Sequence, residues 1–453
     1  MRHKKDSVIP FEFFSATRLP KSVRRRQEKF KAISRILDAN PTILDLVHDD
    51  LCCLSTGKHG GRSGDYTSDT ILRAMVVHFL EGLSLRETTT RIAESPFLQG
   101  FTRISKRPMM DHSFLGRAFK VIRPETVKQV TEELCRYGVN ESLVDPTIIR
   151  TDSTVVETNI HYPTDSSLLN DTYQVIGRLI GKARKLQPSC CSVRFHRQKI
   201  KGLHLTFTRY VASKGEGRKR WARSSLRELT RRVAKAVDKA DAFCQAYATT
   251  SSPGMKKIVM ELQGYLPTMR KVVSTAQMVH LKKQAVPAAD RVFSIFEPHT
   301  ELIQRGRRSK PVEFGHMVWL SQAQGRYILD YEAMEKKIPD AHLTEKVLDR
   351  HARLFGSDPE VVAADKGYSP KKEVYRRLDK RIDSFAIPRR TRDFSMPDMA
   401  FWQAFRAGIE GTISGLKRAF RLSRCMYRGF KTYAAALGMG VFAHNLVVLA
   451  RGS

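Results

Sequence analysis

Apolar positions recur every three to four residues through much of this chain, and the places where that rhythm breaks divide it. From Trp402 to Phe420, WQAFRAGIEGTISGLKRAF, a helical period puts Trp402, Phe405, Ile409, Ile413, Leu416 and Phe420 on one stripe that faces a core. Arg406, Glu410 and Lys417 border that stripe within roughly 40° of one another. Gly408, Gly411 and Gly415 gather on the remaining side. Each glycine costs a helix interior roughly 1 kcal/mol against Ala, so a second backbone is expected to come close there. Upstream, a helix is capped by Thr67 or Ser68 and carries Ile71, Leu72, Met75, Val76 and Phe79. Ser84 and Glu87 make a capping box for another, and Asp111 to Ser113 cap a third with Phe114, Leu115, Phe119 and Ile122.

At Thr147 the period changes. Residues 147–158, TIIRTDSTVVET, are β-branched to an unusual degree and read as a buried strand with Asp152 in its middle. Strand patterns return at 311–320 and 327–331, joined by a turn containing Gly325. An amphipathic helix follows at 343–355, then a short strand, DPEVVAAD, ending on Asp365, a helix at 370–378 and a strand at 384–387. This order predicts an α/β fold, a mixed sheet with helices on its faces. The stretch between the first two strands is helix-forming and dense in Arg and Lys. The expected organisation is therefore a basic segment at 1–62, a helical domain at 63–140, an α/β core from 141–160 and 306–453, and a basic, mainly helical insertion at 161–305.

Charge sharpens the picture. Lys plus Arg number 79 against 46 for Asp plus Glu, a formal charge of +33 spread along the chain, so a polyanion is the expected partner. With 41% hydrophobic residues, the chain folds rather than coating nucleic acid by charge alone. Basic residues on the short N-terminal helices, among them Arg86, Lys106 and Arg117, fit a helix-turn-helix-like DNA reader, and equally an ordinary helical bundle. In the insertion, Lys219, Arg220 and Arg223 flank Trp221, which could stack on a displaced base or pack in a core. Seven cysteines, two pairs of them adjacent, form no sensible disulfide framework, and a reducing cytosol is expected. The opening MRHKKDSVIPFEFF holds no apolar run of signal-peptide length, and the apolar segment 434–450 reads as a buried terminal helix.

Three carboxylates stand out. Asp152 is on a buried strand, Asp365 ends another, and Glu410 borders a core-facing helix stripe. If they converge, they cannot all stay ionised without a cation, and hard oxygen ligands suit Mg²⁺ or Mn²⁺. Spacing by itself leaves that convergence open, since a structural aspartate in a strand is as good a reading as a ligand. Asp165 and Asp171 read as caps, and His299 and His316 as satisfied structural histidines.

The residues TDST around Asp152, ADKGY around Asp365 and RAGIEGTISGLK around Glu410 resemble the three catalytic motifs of bacterial insertion-sequence transposases of the DDE type. The resemblance runs from about Gly64 onward, and includes the helical N-terminal stretch Tyr66 to Ile122. It implies an RNase H-like core in which Asp152, Asp365 and Glu410 hold two Mg²⁺ or Mn²⁺ ions, with Arg406 and Lys417 on DNA phosphate. The family's last motif is Tyr, Arg, Glu, Lys, and this chain departs from it at the tyrosine, where Gln403 stands. The activity implied is hydrolysis at an element's terminal repeats, freeing a 3′ hydroxyl that attacks target DNA, by a dimer or larger assembly. A structure-specific nuclease of the same fold and a domesticated, non-catalytic DNA-binding protein are the alternatives.

Overall fold

In the computed structural model the chain divides into two compact units, one formed by residues 1–158 and 316–453, the other by residues 159–315. The structure describes residues 4, 19–55, 66–104, 108–304, 311–388 and 398–452. Most of the first eighteen residues, the glycine-rich loop at 57–64, Lys106 and the basic link 389–392 lie outside them.

The first unit opens with seven helices: α1 (Lys21–Ala39), α2 (Pro41–Leu51), α3 (Ser68–Leu80), α4 (Leu85–Glu94), α5 (Pro96–Thr102), α6 (His112–Val121) and α7 (Pro124–Asn140). Their starts are written in the sequence. Thr67 caps α3 through the Thr70 N–H, Ser84 and Glu87 close a reciprocal capping box on α4, and Asp111 caps α6 through the Ser113 N–H. Three helices are expected between residues 66 and 140, and the structure adds α5 and α7. Each has a proline in its first turn, where the missing N–H costs nothing. α5 has only seven residues, too few for a period to register.

The helices are held by a buried charge network. Arg73 on α3 is fully buried and donates to Asp69 Oδ1 at 2.8 Å, Asp38 Oδ1 at 3.0 Å and Ser34 Oγ at 2.9 Å. Arg103 crosses the same two carboxylates, reaching Asp69 Oδ2 at 2.6 Å. Truncating Arg73 to Met leaves desolvated carboxylate behind, so we expect a loss of about 3 kcal/mol in urea unfolding at pH 7.5. A loss under about 0.5 kcal/mol, the size of an ordinary surface substitution, would contradict that burial.

β1 (Ile148–Thr158) leads into the second unit, which contains α8 (Asp165–Leu186), α9 (Arg197–Tyr210), α10 (Glu216–Ala246) and α11 (Pro253–Ala276) around an apolar core that includes Leu169, Ile180, Leu229, Val233, Leu262 and Met269. β2 (Glu301–Gln304) pairs antiparallel with the first residues of β3 (Val312–Ala323). The cap of α8 is Thr164, not Asp165, which instead meets His280 at 2.6 Å. Asp171 is no cap either, lying inside α8 with its carboxylate 3.4 Å from His161. His299 meets Glu297 at 2.8 Å.

The rest of the chain completes the first unit: β4 (Ile328–Ala333), α12 (Leu343–Phe355), β5 (Val361–Ala363), α13 (Lys372–Leu378), β6 (Ser384–Ala386), α14 (Met399–Ala419), β7 (Arg424–Cys425) and α15 (Phe430–Gly452). The sheet is mixed. β3 and β4 form an antiparallel hairpin, turned through Gly325 at φ +78°, while β1 pairs parallel with β5, and β5 with β6. Across this unit the strands run β4, β3, β1, β5, β6, with β7 parallel to the far end of β1. α15 is long and apolar enough to cross a membrane, but 83% of its most apolar window is buried within the protein. Its Asn445 exchanges both hydrogen bonds with the backbone of Ile328, which satisfies part of the open edge of β4. His316 is buried, its Nδ1 2.9 Å from the Met334 carbonyl.

Candidate active site

β1 and β5 run side by side in parallel with Ile148 opposite Val361 and Arg150 opposite Ala363. Continuing that register by two residues brings Asp365 level with Asp152. Both carboxylates thus stand at the middle of the sheet, where β5 has just ended and its chain turns away. Asp365 makes that turn itself, accepting from the Gly367 N–H at 2.8 Å to cap one turn of 3₁₀ helix.

α14 lies against these strands. Arg406 reaches toward Asp152 Oδ2 at 3.7 Å and donates to Glu410 Oε1 at 2.9 Å, so residues from β1 and α14, far apart in sequence, meet at one guanidinium. The Arg406 Nε is buried and has no acceptor among the described residues. Glu410 is mostly exposed, with 62% of its side chain accessible. Lys417, two turns further along α14, is half-buried.

Burial raises the Asp152 carboxyl to about 6, with Asp365 and Asp340 adding repulsion and the Ser153 N–H and Arg406 opposing it. Asp340 is a carboxylate that sequence reading missed, because a DAH turn before a helix looks like an ordinary cap. It accepts from Ser153 Oγ at 3.0 Å, and the same hydroxyl meets the buried Tyr368 OH at 2.7 Å. A Cβ on Gly367 would stand 3.0 Å from Asp365 Oδ1 and 3.4 Å from Asp340 Oδ2, so the missing side chain keeps a cradle open between two carboxylates.

The glycine face of α14 differs from expectation. Among the described residues no second backbone approaches it: Gly411 and Gly415 have nothing within 4 Å, and Gly408 faces a side chain, the guanidinium of Arg150, which a Cβ would overlap. Arg150 and Asp152 are two apart on β1 and so share a face. Arg150 donates from Nη1 to the Phe405 carbonyl at 2.6 Å, lies over the Phe405 ring at 4.7 Å, and meets Gln322 of β3 when that amide is oriented to satisfy both Arg150 and Thr412. This buried arginine ties β1 and β3 to α14 one turn from Arg406. Inside a strand of threonines and valines its signal in the sequence was only that a charge stood where the pattern called for an apolar side chain.

Residues 304–446 match the family model of the transposase DDE domain. The match supports a DDE-superfamily transposase. No curated protein and no solved structure matches it. The matched stretch takes in Asp340, Asp365, Arg406, Glu410 and Lys417, while Asp152 lies before it. Similarity to this domain implies a transposase-type nucleic-acid-processing enzyme with DNA as its partner, and the family generally uses divalent metal ions.

Among the described residues, no three acidic, histidine or cysteine side chains stand close enough to share a metal ion as they are placed. The chemistry of the donors nevertheless suits one. Asp152 is desolvated and repelled by two other carboxylates, and the Gly367 cradle leaves Asp365 and Asp340 oxygens facing the same space, a hard, anionic oxygen set of the kind Mg²⁺ and Mn²⁺ take. Gln403, in the place of the family's tyrosine, is half-buried with its amide 3.5 Å from the Ala386 carbonyl on β6.

The remaining basic candidates lie elsewhere. Arg86 and Arg117 are exposed on α4 and α6 of the first unit. Lys219, Arg220 and Arg223 are on α10 of the second, where Lys219 is paired with Glu216 at 2.9 Å. Trp221 is 55% exposed and stacks on Tyr210 at 5.1 Å, so it is not a core residue.

Proposed function

We propose that this transposase binds the terminal repeats of an insertion sequence, hydrolyses a phosphodiester bond at each element end and joins the freed 3′ hydroxyl to target DNA, on an RNase H-like core. The observation that carries the reading is the meeting of Asp152 and Glu410 at Arg406, beside a strand end that brings Asp365 level with Asp152. Asp152, Asp365 and Glu410 would hold two divalent ions, with Asp340 beside them. Bound there, the ions would supply Lewis-acid stabilisation of charge developing on the phosphate oxygens.

The chain's own residues do the rest. Arg406, its Nε buried without an acceptor, has a hydrogen bond to give to a phosphate oxygen. Lys417 adds a point charge along the same helix. Glu410, exposed and held by Arg406, turns inward when phosphate takes over that guanidinium. Arg86, Arg117, Lys219, Arg220 and Arg223 contact the DNA backbone and set its position rather than its sequence. The residues from about 161 to 305 act as a basic, mainly helical insertion in the catalytic core, and two copies of the chain assemble on the two ends.

The test is cleavage of a supercoiled plasmid carrying the flanking repeats, with Mg²⁺ or Mn²⁺. Wild type should cut at the repeat boundaries, and Asp365→Ala and Glu410→Gln should each lose at least about a thousandfold in rate while still binding the repeats. Equal cutting by either variant would remove that residue from the catalytic set. Cutting without joining of a pre-cut end to a target plasmid would reduce the activity to that of a nuclease.

A further inference from the structure

A cavity of ≈ 610 Å³ opens in the first unit between the starts of α4 and α6 and the segment 421–428 that follows α14. None of the catalytic carboxylates lines it. Its floor is apolar: Leu85, Leu422, Met426 and Tyr427. The floor is also fixed, because Tyr427 packs on the Phe119 ring at 4.4 Å and meets His78 Nε2 at 2.9 Å, while His78 Nδ1 is 3.1 Å from Thr88 Oγ1. Burial, with Arg421 adding to it, holds the His78 imidazole down to about 4, so the floor is uncharged at neutral pH.

The walls are the opposite. Arg86, Arg117, Lys120, Arg421, Arg424 and Arg428 surround the opening, together with the capped first turns of α4 and α6. Three carboxylates near the opening are already engaged and offset part of that charge. Glu87 closes the α4 capping box, Asp111 caps α6, and Glu157 pairs with Arg424 at 2.8 Å. The cavity therefore offers a surplus of positive charge around a flat apolar surface. Its volume falls in the range that encloses one small ligand, and a double helix cannot enter it.

We propose that this cleft binds a nucleoside phosphate, with the base on Leu85, Leu422 and Met426 and the phosphate among Arg86, Arg117 and Arg428. The source is either an unpaired nucleotide of a DNA strand or a free nucleotide. The assignment rests on the reading of DNA as the partner, and on nothing in the carboxylate site. It gives the N-terminal helices and the segment after the catalytic helix a shared ligand.

The experiment is fluorescence anisotropy of a labelled five-nucleotide oligothymidylate in EDTA, where cleavage plays no part. Wild type should bind it, and an abasic strand with the same phosphates should bind at least about tenfold more weakly, the loss expected when stacking is removed. Leu85→Trp, which fills the floor, and Met426→Glu, an exposed substitution that spares the fold, should each weaken the intact strand by a similar factor. Blunt-duplex affinity and melting temperature should be kept. Displacement by millimolar dTMP identifies a free nucleotide as a sufficient ligand; displacement only by unlabelled oligonucleotide identifies the strand. Equal binding of abasic and intact strands, or unchanged affinity in Met426→Glu, overturns the proposal. Loss of plasmid cutting in the separate Mg²⁺ assay overturns the catalytic reading and leaves this one standing.

Discussion

Gly408→Ala is expected to destabilise the first unit and to cut DNA cleavage by at least about a hundredfold, whereas Gly411→Ala, one turn along the same helix, is expected to stabilise. Intrinsic propensity favours both changes by about 1 kcal/mol. At Gly411 nothing lies within 4 Å, so that gain is kept. At Gly408 the new methyl overlaps the Arg150 guanidinium. Arg150 must then leave the Phe405 carbonyl, the Phe405 ring and Gln322, or push α14 away from β1. Stranding a buried, hydrogen-bonded charge costs about 3–5 kcal/mol, which outweighs the helical gain. Moving α14 instead displaces Arg406 and Glu410 from Asp152, and a misplacement near 1 Å is enough for about a hundredfold in rate. Urea unfolding and plasmid cleavage of the two variants decide the matter. Equal behaviour of both would remove the role of Arg150 in setting the helix. Arg150→Lys should resemble Gly408→Ala in cleavage, because an ammonium cannot both stack on Phe405 and bond the carbonyl and the amide.

Asp152→Asn is expected to abolish cleavage and yet raise stability in EDTA at pH 7.5. The Asp152 carboxyl is raised from its ordinary value near 3.8 to about 6, chiefly by burial. The folded state therefore holds the proton more tightly than the unfolded state, and the ionised form costs folding free energy. That cost is small below pH 4, grows between about pH 4 and 6, and is complete above 7, where it amounts to about 2–3 kcal/mol. An asparagine is free of it. The variant should unfold at higher urea concentration at pH 7.5 and at the same concentration as wild type near pH 4. Adding Mg²⁺ should stabilise wild type and leave the variant unmoved, reversing the order. A variant less stable than wild type at pH 7.5 without metal would contradict the desolvation of Asp152.

Local signals in the chain were enough for much of the fold. The caps at Thr67, Ser84 and Asp111, the β-branched strand at 148–158, the Gly325 hairpin and the helix at 343–355 all follow from short-range chemistry, and the structure places them within a few residues of expectation. Local reading failed where the cause was not local. Arg150, Asp340 and Gln322 look unremarkable in sequence because their partners are on other elements. The glycines of α14 look alike along the chain, yet one makes room for a guanidinium and two face open space.

By itself, then, the sequence determined many of the helices and the main strands, that the chain carries a large positive charge for a polyanion, and which carboxylates belong to motifs resembling those of DDE transposases. Only the tertiary structure decided that Asp152 and Glu410 meet at one arginine, that the register of β1 against β5 carries Asp365 level with Asp152, and that Asp152 is desolvated. The physical reason is range. Capping and periodicity act over a few residues, whereas burial, charge repulsion and the approach of one helix to one strand depend on groups far apart in sequence, and exist only once the sheet has formed.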